Sequence, residues 1–506
     1  MAGIQRTTSW HRHCPEGVDP SEVELDRGET LPKAWVARWI AEPDSPVVHD
    51  PDEGWITGAG LLERSGLVAG RLDRAGVVSG DRVILSGANS ARLVVCHIAL
   101  LRLGAIVMPT NGAYQQGEVA HVVADARPKL AIVENPLWGD WIRAVDPSVL
   151  VVSTDVELPD GPPPGLDGDP PDAPALIGYT SGTTGRPKGA VLSHGNLLAG
   201  VRALELAWRW SPRDCLVLAL PLFHMHGLGV GLHGTLTTGA TVVLQRGFEV
   251  DGVLDALAEH NATMFFGVPT MYSRLVDSPR ARELASLRLC VSGSAPLPAE
   301  LHRRFEEASG QRVLERYGMT ETVMLVSNPH DDERRPGSVG FPLPGVGLRL
   351  QGEPAEIQVR GPNVFSGYWE RPDANEAAFD DGWFRTGDLG SEDADGYVSI
   401  VGRAKELIIS GGFNVYPRVI EDVLAQHPAV EEVAIVGEPD EEWGEVVVAY
   451  VVGSRPLSDD EAKDFVGERL AHFKRPRRSY MVEELPRNAL GKVQKHRFAN
   501  GVVITD

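Results

Sequence analysis

The stretch that most constrains this chain lies at residues 179–189, which read Tyr-Thr-Ser-Gly-Thr-Thr-Gly-Arg-Pro-Lys-Gly. Its glycines allow the backbone to turn tightly and to point N–H groups inward. The lysine adds a positive charge, and the hydroxyl groups add hydrogen-bond donors. This combination predicts a polyphosphate-binding loop whose ligands are Thr180, Ser181, Gly182, Thr183, Thr184 and Lys188. The Gly-x4-Gly-Lys-Ser/Thr spacing of a Walker A loop is absent.

The segments on either side of this loop indicate ordered structure. Residues 173–178 form a short apolar run that predicts a strand, and residues 190–198 predict a strand that leads into a helix. A flexible surface linker is the alternative, because serine, threonine and glycine also suit linkers. The loop ends on Pro-Lys-Gly and is followed at once by an apolar run, which favours the binding loop.

Residues 180–189 also resemble the phosphate loop of the adenylate-forming (AMP-binding) superfamily, which includes acyl-CoA synthetases, adenylation domains and luciferases. The resemblance covers nearly the whole chain from about Trp35. It implies an α/β fold with a large N-terminal domain and a small, mobile α+β C-terminal domain. It also implies ATP and Mg²⁺ as cofactors and coenzyme A as the expected thiol.

The composition limits the partners that the chain can bind. A formal net charge of −22 repels nucleic acid and anionic lipid surfaces, so any bound anion must be held by local groups. The four cysteines show no paired spacing, which argues against a disulfide framework or a zinc ribbon. No apolar run reaches the roughly 20 residues of a membrane helix, and the N-terminus does not read as a signal peptide. These features favour a cytoplasmic protein without nucleic-acid binding or membrane insertion.

Short apolar strands alternate with helical segments through roughly residue 400. Strands are predicted near residues 83, 105 and 130, and a helix is predicted at residues 90–103. Such alternation predicts mainly parallel sheets that are covered by helices.

Two boundaries divide the chain. A segment rich in proline, glycine and aspartate precedes the phosphate loop and separates two α/β lobes, at roughly 30–160 and 170–402. Resemblance to the family places the hinge at Lys405, so we predict an N-terminal domain at 1–402 and a swinging C-terminal domain at 403–506. The residues before Trp35 form an irregular lead-in without an assigned role.

A second motif, Glu-Arg-Tyr-Gly-Met-Thr-Glu-Thr at residues 315–322, places an aromatic ring, a hydroxyl and a carboxylate in one segment. Tyr317 offers a flat face for a purine, Thr320 can donate to a phosphate, and Glu321 is an oxygen ligand suited to Mg²⁺. An amphipathic turn with a core tyrosine and a solvated glutamate is the alternative. The segment matches the family's Tyr-Gly-x-Thr-Glu motif, in which Gly318 also belongs to the nucleotide site.

The resemblance assigns further nucleotide contacts. Residues 291–296 resemble the segment that lines the adenine pocket, although Gly293 also suits a simple tight turn. Asp388 matches the family's ribose ligand and Arg403 its helper, whereas an aspartate that caps a turn is the ordinary alternative. The nucleotide-binding residues predicted in this way are Gly293, Ser294, Ala295, Asp388 and Arg403.

The catalytic groups of the C-terminal domain are also assigned by resemblance. Lys492, in Gly-Lys-Val, matches the family's catalytic lysine. An exposed lysine without a role is the ordinary alternative near a C-terminus. Lys495 is a nearby candidate for the same role, but it lacks the preceding glycine. Gly411 and Gly412 resemble the loop that admits the pantetheine arm of coenzyme A, or form a strand-to-strand turn. Together with Thr320 and Glu321, Lys492 is expected to form an acyl-adenylate with release of pyrophosphate. Rotation about Lys405 then admits the thiol.

The acid substrate is predicted from a closer resemblance. Several segments look most like malonyl- or methylmalonyl-CoA synthetases, in which an arginine at the position of Arg274 pairs with the distal carboxylate; a surface helix position is the alternative. His224 and His226 have no carboxylate or thiolate at ligand spacing, which argues against a metal site. The resemblance places both histidines in the acyl pocket. The segment that begins at Met324 reads Met-Leu-Val-Ser where the malonyl-type pattern tends to Met-Asn-Thr-Ser, and this departure makes the pocket wall beside Met324 more apolar.

Other functions stay open at this point. An aryl acid, a fatty acid or an oxyanion such as nitrite could replace the malonate-like acid, and a separate carrier protein or an amine could replace coenzyme A. A non-catalytic nucleotide-binding scaffold is a further alternative, but it would be expected to have lost Lys492 or Glu321, and both are present.

Overall fold

The chain builds a mixed α/β structure with a large N-terminal domain and a smaller C-terminal domain, as the sequence predicts. The computed structural model describes residues 7–25, 27–162, 164–180, 187–410, 412–440, 443–488, 491–499 and 501–503. Within these ranges, no helix has the length and apolar character needed to cross a membrane.

Helices cover the sheets, and serine or threonine side chains cap several helix starts. Ser90, for example, accepts a hydrogen bond from the Leu93 N–H, which confirms the helix predicted at residues 90–103. The α-helices are α1 Leu31–Ala41, α2 Gly58–Arg74, α3 Ala91–Leu103, α4 Gln116–Ala126, α5 Leu137–Val145, α6 His194–Ala207, α7 His233–Thr238, α8 Val250–Glu259, α9 Pro269–Val276, α10 Ala299–Ser309, α11 Pro372–Ala378, α12 Pro417–Leu424 and α13 Asp459–Gly467.

The strands are mostly short. Several are four-residue apolar runs that are buried along their whole length, as expected for parallel strands covered on both faces. The strands are β1 Pro46–Asp50, β2 Gly54–Thr57, β3 Arg82–Ser86, β4 Ile106–Pro109, β5 Leu130–Val133, β6 Leu150–Val152, β7 Pro174–Thr180, β8 Lys188–Ser193, β9 Cys215–Leu218, β10 Thr241–Leu244, β11 Met264–Gly267, β12 Leu289–Ser292, β13 Val313–Tyr317, β14 Val326–Ser327, β15 Phe341–Pro342, β16 Gly347–Gln351, β17 Glu356–Arg360, β18 Gly367–Tyr368, β19 Phe379–Asp380, β20 Trp383–Glu392, β21 Val398–Arg403, β22 Ile408–Ser410, β23 Phe413–Val415, β24 Glu432–Asp440, β25 Gly444–Val452, β26 Arg478–Met481, β27 Phe498–Ala499 and β28 Val502–Val503.

A seven-stranded sheet carries the predicted phosphate loop. Its order is β18-β8-β7-β4-β3-β5-β6, with parallel pairing from β7 to β6 and antiparallel pairing of β7 with β8 and of β8 with β18. The strands predicted near residues 83, 105, 130 and 173–178 are confirmed as β3, β4, β5 and β7. The loop therefore connects the two strands of a hairpin at one side of this sheet.

A nine-stranded sheet, in the order β15-β14-β13-β12-β11-β9-β10-β1-β2, corrects the predicted lobes. Its middle strands are parallel, but β1 pairs with β10, although all strands from β2 to β9 lie between them in the chain. The predicted division at residues 160–170 therefore does not separate the sheets. Sequence patterns report local strands, whereas strand pairing over such distances is decided by tertiary packing.

The predicted alternation of strand and helix does not continue to residue 400. Strands β16, β17, β19, β20 and β21 form an antiparallel sheet, and short turns connect β16 with β17, β19 with β20 and β20 with β21. Parallel strands need crossovers of a dozen or more residues, and turns such as the one at Gly352 (φ +86°) are too short for that. This third sheet positions Asp388 and Arg403.

The C-terminal domain has its own sheet, which contains β22 to β26. Strands β24 and β25 form a long antiparallel pair, and α12 and α13 pack on its apolar face. The exact boundary at residue 402 stays a prediction.

Buried histidines make the fold sensitive to acid. Burial lowers the pKa of His13 and His194 to about 4 and that of His97 to about 3. Unfolded histidines bind protons below about pH 6.5, whereas these folded ones do not until about pH 4. Each therefore removes about 2 kcal/mol of stability by pH 5. Burial raises the pKa of Glu315 to about 7, which offsets only part of this loss.

We therefore expect the melting temperature to fall steeply between pH 7 and pH 5. Thermal unfolding that is followed by circular dichroism at half-unit pH steps measures this slope. A melting temperature that is constant across this window would contradict the burial of these rings as neutral imidazoles.

Candidate active site

The hairpin of β7 and β8 holds the base of the predicted phosphate loop. Thr180 pairs with Lys188 in the antiparallel register, and the Thr180 hydroxyl donates to the Lys188 carbonyl over 3.4 Å. The hairpin brings these two predicted ligands together. The other predicted ligands, Ser181, Gly182, Thr183 and Thr184, lie outside the described residues.

The short turn that contains Thr320 and Glu321 packs directly on this hairpin. A Cβ at Gly178 would lie 2.5 Å from the Thr320 Cγ2, so only glycine allows the turn to approach so closely. Thr320 therefore lies beside the strand that leads into the phosphate loop. Sequence alone shows no link between these two motifs, which are far apart along the chain.

Glu321 is a buried carboxylate at this turn. Its side chain is 4% exposed, and burial raises its pKa, while the Tyr368 hydroxyl donates to Oε1 over 3.0 Å. A buried oxygen ligand near a phosphate loop fits Mg²⁺, which takes one or two carboxylates and completes its shell with phosphates and water. In the part of the chain that the structure describes, no three acidic, histidine or cysteine groups form a complete metal cage.

A second group of residues forms a carboxylate corner. The Tyr317 hydroxyl donates to Asp388 Oδ2 over 2.6 Å, and Arg403 Nε lies 2.9 Å from Oδ1. Asp388 and Arg403 are directly opposite each other on β20 and β21. The charge of Asp388 raises the pKa of Arg403, so this guanidinium stays charged. This corner offers the acceptors and donors that a ribose requires.

Lys492 lies beside this corner although it belongs to the C-terminal domain. Desolvation lowers its pKa, and the charge of Arg403 lowers it further, while Asp388 raises it. A Cβ at Gly491 would lie 3.4 Å from Thr270 Oγ1 at the start of α9, so the turn that carries Lys492 contacts the N-terminal domain. The structure therefore brings the lysine of one domain to the site of the other.

The predicted hinge and coenzyme A residues lie elsewhere. Lys405 is exposed in the short turn that follows Arg403. Lys495, the other lysine near Lys492 in the sequence, pairs with Glu421 over 2.7 Å. Gly412 has a φ of +81°, and a Cβ there would meet no atom of the described residues within 4 Å, while Gly411 lies outside those residues. Gly412 is exposed in this arrangement of the two domains.

His226 is buried and His224 is half-buried, and both rings are neutral. The backbone N–H of His226 donates to His224 Nδ1 over 3.2 Å, so the proton of the neutral His224 ring is on Nε2. The His226 Nδ1 lies 3.3 Å from the Ser294 hydroxyl, which belongs to the predicted adenine segment. Desolvation lowers the pKa of both rings, and the positive charge of Arg316 lowers both further.

Arg316 is the residue that the sequence patterns did not single out. It is 6% exposed, and neither Nε nor Nη2 has a hydrogen-bond partner among the residues that the structure describes. The guanidinium lies over Gly293, where a Cβ would come within 2.5 Å of Nε. Burial lowers its pKa to about 9. The available signal in the sequence was the position of Arg316 inside the motif at residues 315–322. Charged residues are rarely buried without a partner, so an arginine that is buried beside a nucleotide motif suggests a ligand-binding role.

Arg274 does not occupy the predicted place. Its side chain is 56% exposed, lies 3.8 Å from Glu249 and stacks on Phe248 with 5.0 Å between Cζ and the ring centre. This face of α9 is turned to solvent, whereas Tyr272 and Leu275 of the same helix are buried. The surface alternative describes this residue better than the acyl-pocket prediction.

Met324 is fully buried next to the nucleotide motif. A Cβ at Gly318 would lie 2.8 Å from the Met324 Cα, so this glycine permits a close chain crossing. Val323, between Met324 and the Glu321 turn, has a φ of +58°, which is strained for a branched side chain. Asn363 holds this strained segment by donating to the Thr322 and Met324 carbonyls. Ala295, the remaining predicted residue, follows Ser294 in the same loop.

Comparisons with known proteins identify the family of this chain. The family described as AMP-binding enzyme matches residues 36–369, and the family described as AMP-binding enzyme C-terminal domain matches residues 419–492. The solved structure of ATP-bound MatB from Rhodopseudomonas palustris superposes with a TM-score of 0.87 and 39% identity, covering 92% of this chain and 98% of that one.

Two curated relatives are similar over almost their entire length. The indoleacetate–CoA ligase of Aromatoleum aromaticum is 38% identical over 91% of this chain and 96% of its own. The sulfoacetate–CoA ligase of Cupriavidus necator is 37% identical over 95% of this chain and 99% of its own. The chain therefore belongs to the AMP-binding enzyme family, in its acyl-CoA synthetase branch.

Proposed function

We propose that this enzyme activates a short carboxylic acid that carries a second anionic group, malonate or a close analogue, and transfers the acyl group to coenzyme A. The observation that carries the choice of acid is the buried Arg316, whose Nε and Nη2 have no partner among the described residues. The relatives support the ligase chemistry, but their names include acids with a second anion, such as sulfoacetate, and without one, such as indoleacetate.

An unpaired buried guanidinium is costly unless a ligand neutralises it. Removing an ion from water carries a penalty of several kcal/mol, which an opposite charge with good geometry repays. A carboxylate can accept two parallel N–H bonds from one guanidinium, and Nε and Nη2 of Arg316 are both available for this. The charge of Arg316 thus selects an acid whose far end is anionic.

The surrounding groups favour a small acid. The guanidinium lies directly over Gly293, and the neutral rings of His224 and His226 flank the same region. These rings offer N–H donors and add no positive charge, so they suit the carbonyl of the acid.

The first half-reaction follows from the positions around the phosphate hairpin. A carboxylate oxygen of the acid attacks the α-phosphorus of ATP, and the bond to the pyrophosphate oxygen breaks. Lys492 stabilises the charge that develops, Asp388 and Tyr317 orient the ribose, and Lys188 holds the departing pyrophosphate. Mg²⁺ on Glu321 would supply Lewis-acid neutralisation of the phosphates when bound.

The second half-reaction needs a different arrangement of the domains. We propose that the C-terminal domain rotates at Lys405, withdraws Lys492 and brings Gly411 and Gly412 to the acyl-adenylate. The coenzyme A thiol then attacks the acyl carbon, and AMP leaves. The exposed position of Gly412 in the present arrangement is consistent with a role that begins only after rotation.

The direct test is acid-dependent release of pyrophosphate, measured with a coupled phosphate assay with and without coenzyme A. The panel contains malonate, methylmalonate, succinate, sulfoacetate, propionate, benzoate, a medium-chain fatty acid and nitrite. We expect release with malonate to exceed release with propionate by at least about 100-fold in kcat/KM. A preference for benzoate or the fatty acid would contradict the proposed acid, and failure of every acid to cause release would remove the enzyme assignment.

A further inference from the structure

We propose that Tyr368 is a positioning residue that holds both charged ends of the triphosphate site, through its hydroxyl and through its ring. Its hydroxyl donates to Glu321 Oε1 over 3.0 Å, and Lys188 Nζ lies 5.1 Å from the centre of its ring. One side chain therefore contacts the expected Mg²⁺ ligand and the expected phosphate cation. The inference rests on the roles proposed above for Glu321 and Lys188.

Strand register explains why these groups meet. Tyr368 in β18 is directly opposite Ala190 in β8. Residues two apart on a strand share a face, so Lys188 lies diagonally across from Tyr368 on the same side of the sheet. A ring and a lysine at this spacing make a cation–π contact. The contact holds the amine of Lys188 near the base of the phosphate loop.

The tyrosine itself is held firmly. Its backbone N–H donates to Asn375 Oδ1 over 2.6 Å, and Asn375 Nδ2 donates back to its carbonyl over 3.1 Å. Phe365 packs edge-on against the ring, with 4.9 Å between ring centres. Because the backbone and ring are fixed, the hydroxyl has a defined direction toward Glu321. It occupies one carboxylate oxygen, so that Oε2 is left for a metal.

The two contacts can be separated by experiment. Tyr368→Phe keeps the ring and removes the hydroxyl, so it should disturb Glu321 and leave Lys188 in place. We expect the Mg²⁺ concentration for half-maximal ATP binding to rise about tenfold, while affinity for metal-free ATP changes less than about twofold. Isothermal titration calorimetry with ATP, in EDTA and across a Mg²⁺ series, measures both values.

Tyr368→Leu removes the ring as well. We expect it to lower the affinity for metal-free ATP about three- to fivefold in addition to the Mg²⁺ effect, because Lys188 loses its contact. In the Tyr368→Leu background, Lys188→Ala should then lower the affinity for metal-free ATP by a smaller factor than it does in the unaltered enzyme. A purely structural role would shift both affinities together in Tyr368→Phe, and that result would overturn the inference.

Two controls separate this inference from the proposed function. Tyr397→Phe also removes a tyrosine hydroxyl, but this one donates to the Glu333 backbone carbonyl. It should change neither the affinity for metal-free ATP nor the Mg²⁺ concentration for half-maximal binding. Glu321→Gln tests the metal role directly. If Glu321→Gln weakens Mg²⁺-dependent binding and Tyr368→Phe does not, the role of Tyr368 is wrong. If neither variant weakens Mg²⁺-dependent ATP binding, the Mg²⁺ assignment of Glu321 is wrong, and the inference about Tyr368 is wrong as well.

Discussion

Replacing Lys492 with alanine is expected to lower the rate of acyl-adenylate formation about 100- to 1,000-fold, the usual effect of removing one group that stabilises transition-state charge. The lysine is partly shielded from solvent beside Arg403 and Asp388, so a cation from solution does not readily take its place. Acid-dependent exchange of pyrophosphate into ATP measures this step. Thioester formation from a supplied acyl-adenylate should stay within about threefold, because Lys492 is withdrawn in that step.

Lys495→Ala is the matched control. This lysine lies close to Lys492 in the sequence. It pairs with Glu406 and Glu421 inside the C-terminal domain, not with the carboxylate corner of Tyr317, Asp388 and Arg403. We expect it to retain adenylate formation within about fivefold. Equal loss of both half-reactions in Lys492→Ala would show that the lysine serves the fold or the docking of the domain, and would contradict its catalytic assignment.

Replacing Arg316 with methionine is expected to raise the KM for malonate about 100-fold or more, because the distal carboxylate loses its buried counter-ion. Methionine has a similar length and fills the space beside Gly293. The rate with propionate should hold or rise, since that acid has no second charge to match. Steady-state kinetics with both acids give the change in preference.

The same variant should be at least as stable as the unaltered enzyme without substrate. A buried ion without a partner is destabilising, and replacing even a paired buried ion together with its partner by apolar side chains is often neutral or stabilising by about 1–4 kcal/mol. Thermal unfolding tests this part. A large fall in melting temperature would show that Arg316 has a structural partner, and Arg316→Gln would then separate folding from acid binding.

Arg274→Ala supplies the opposing control for the acid site. Its exposed guanidinium pairs loosely with Glu249, and exposed pairs contribute little. We expect the malonate preference to change less than about twofold. Loss of malonate activity in Arg274→Ala, with Arg316→Met unaffected, would restore the acid site suggested by the resemblance.

The nucleotide motifs could be predicted because each is a contiguous run with a distinctive chemistry. The loop at residues 180–189 needs its glycines, hydroxyls and lysine in one short segment, and the segment at 315–322 combines a ring with a carboxylate. The structure places the described parts of both motifs side by side. Their contact through Gly178 and Thr320 could not be predicted, since it depends on how two sheets pack.

The acid site was harder to predict for geometric reasons. The resemblance pointed to helix α9, but the direction of Arg274 depends on how that helix is rotated against Phe248. Arg316 stands between Glu315 and Tyr317, and alternation along β13 sends its side chain to the opposite face from theirs. A sequence does not show which of these faces meets a cavity.

The sheet pairing shows the same limit. Strands β3, β4 and β5 were predicted from apolar runs, but nothing local indicates that β1 pairs with β10. The antiparallel strands after β15 were hidden because short apolar runs look alike in parallel and antiparallel sheets.

The most direct test of the central claim is a structure of the enzyme with a stable analogue of malonyl-adenylate. We predict that the free carboxylate lies about 2.7–2.9 Å from the guanidinium nitrogens of Arg316. The adenylate ribose should contact Asp388, and Arg274 should stay on the surface. A carboxylate that faces Arg274 or solvent, with Arg316 still unpaired, would contradict the account.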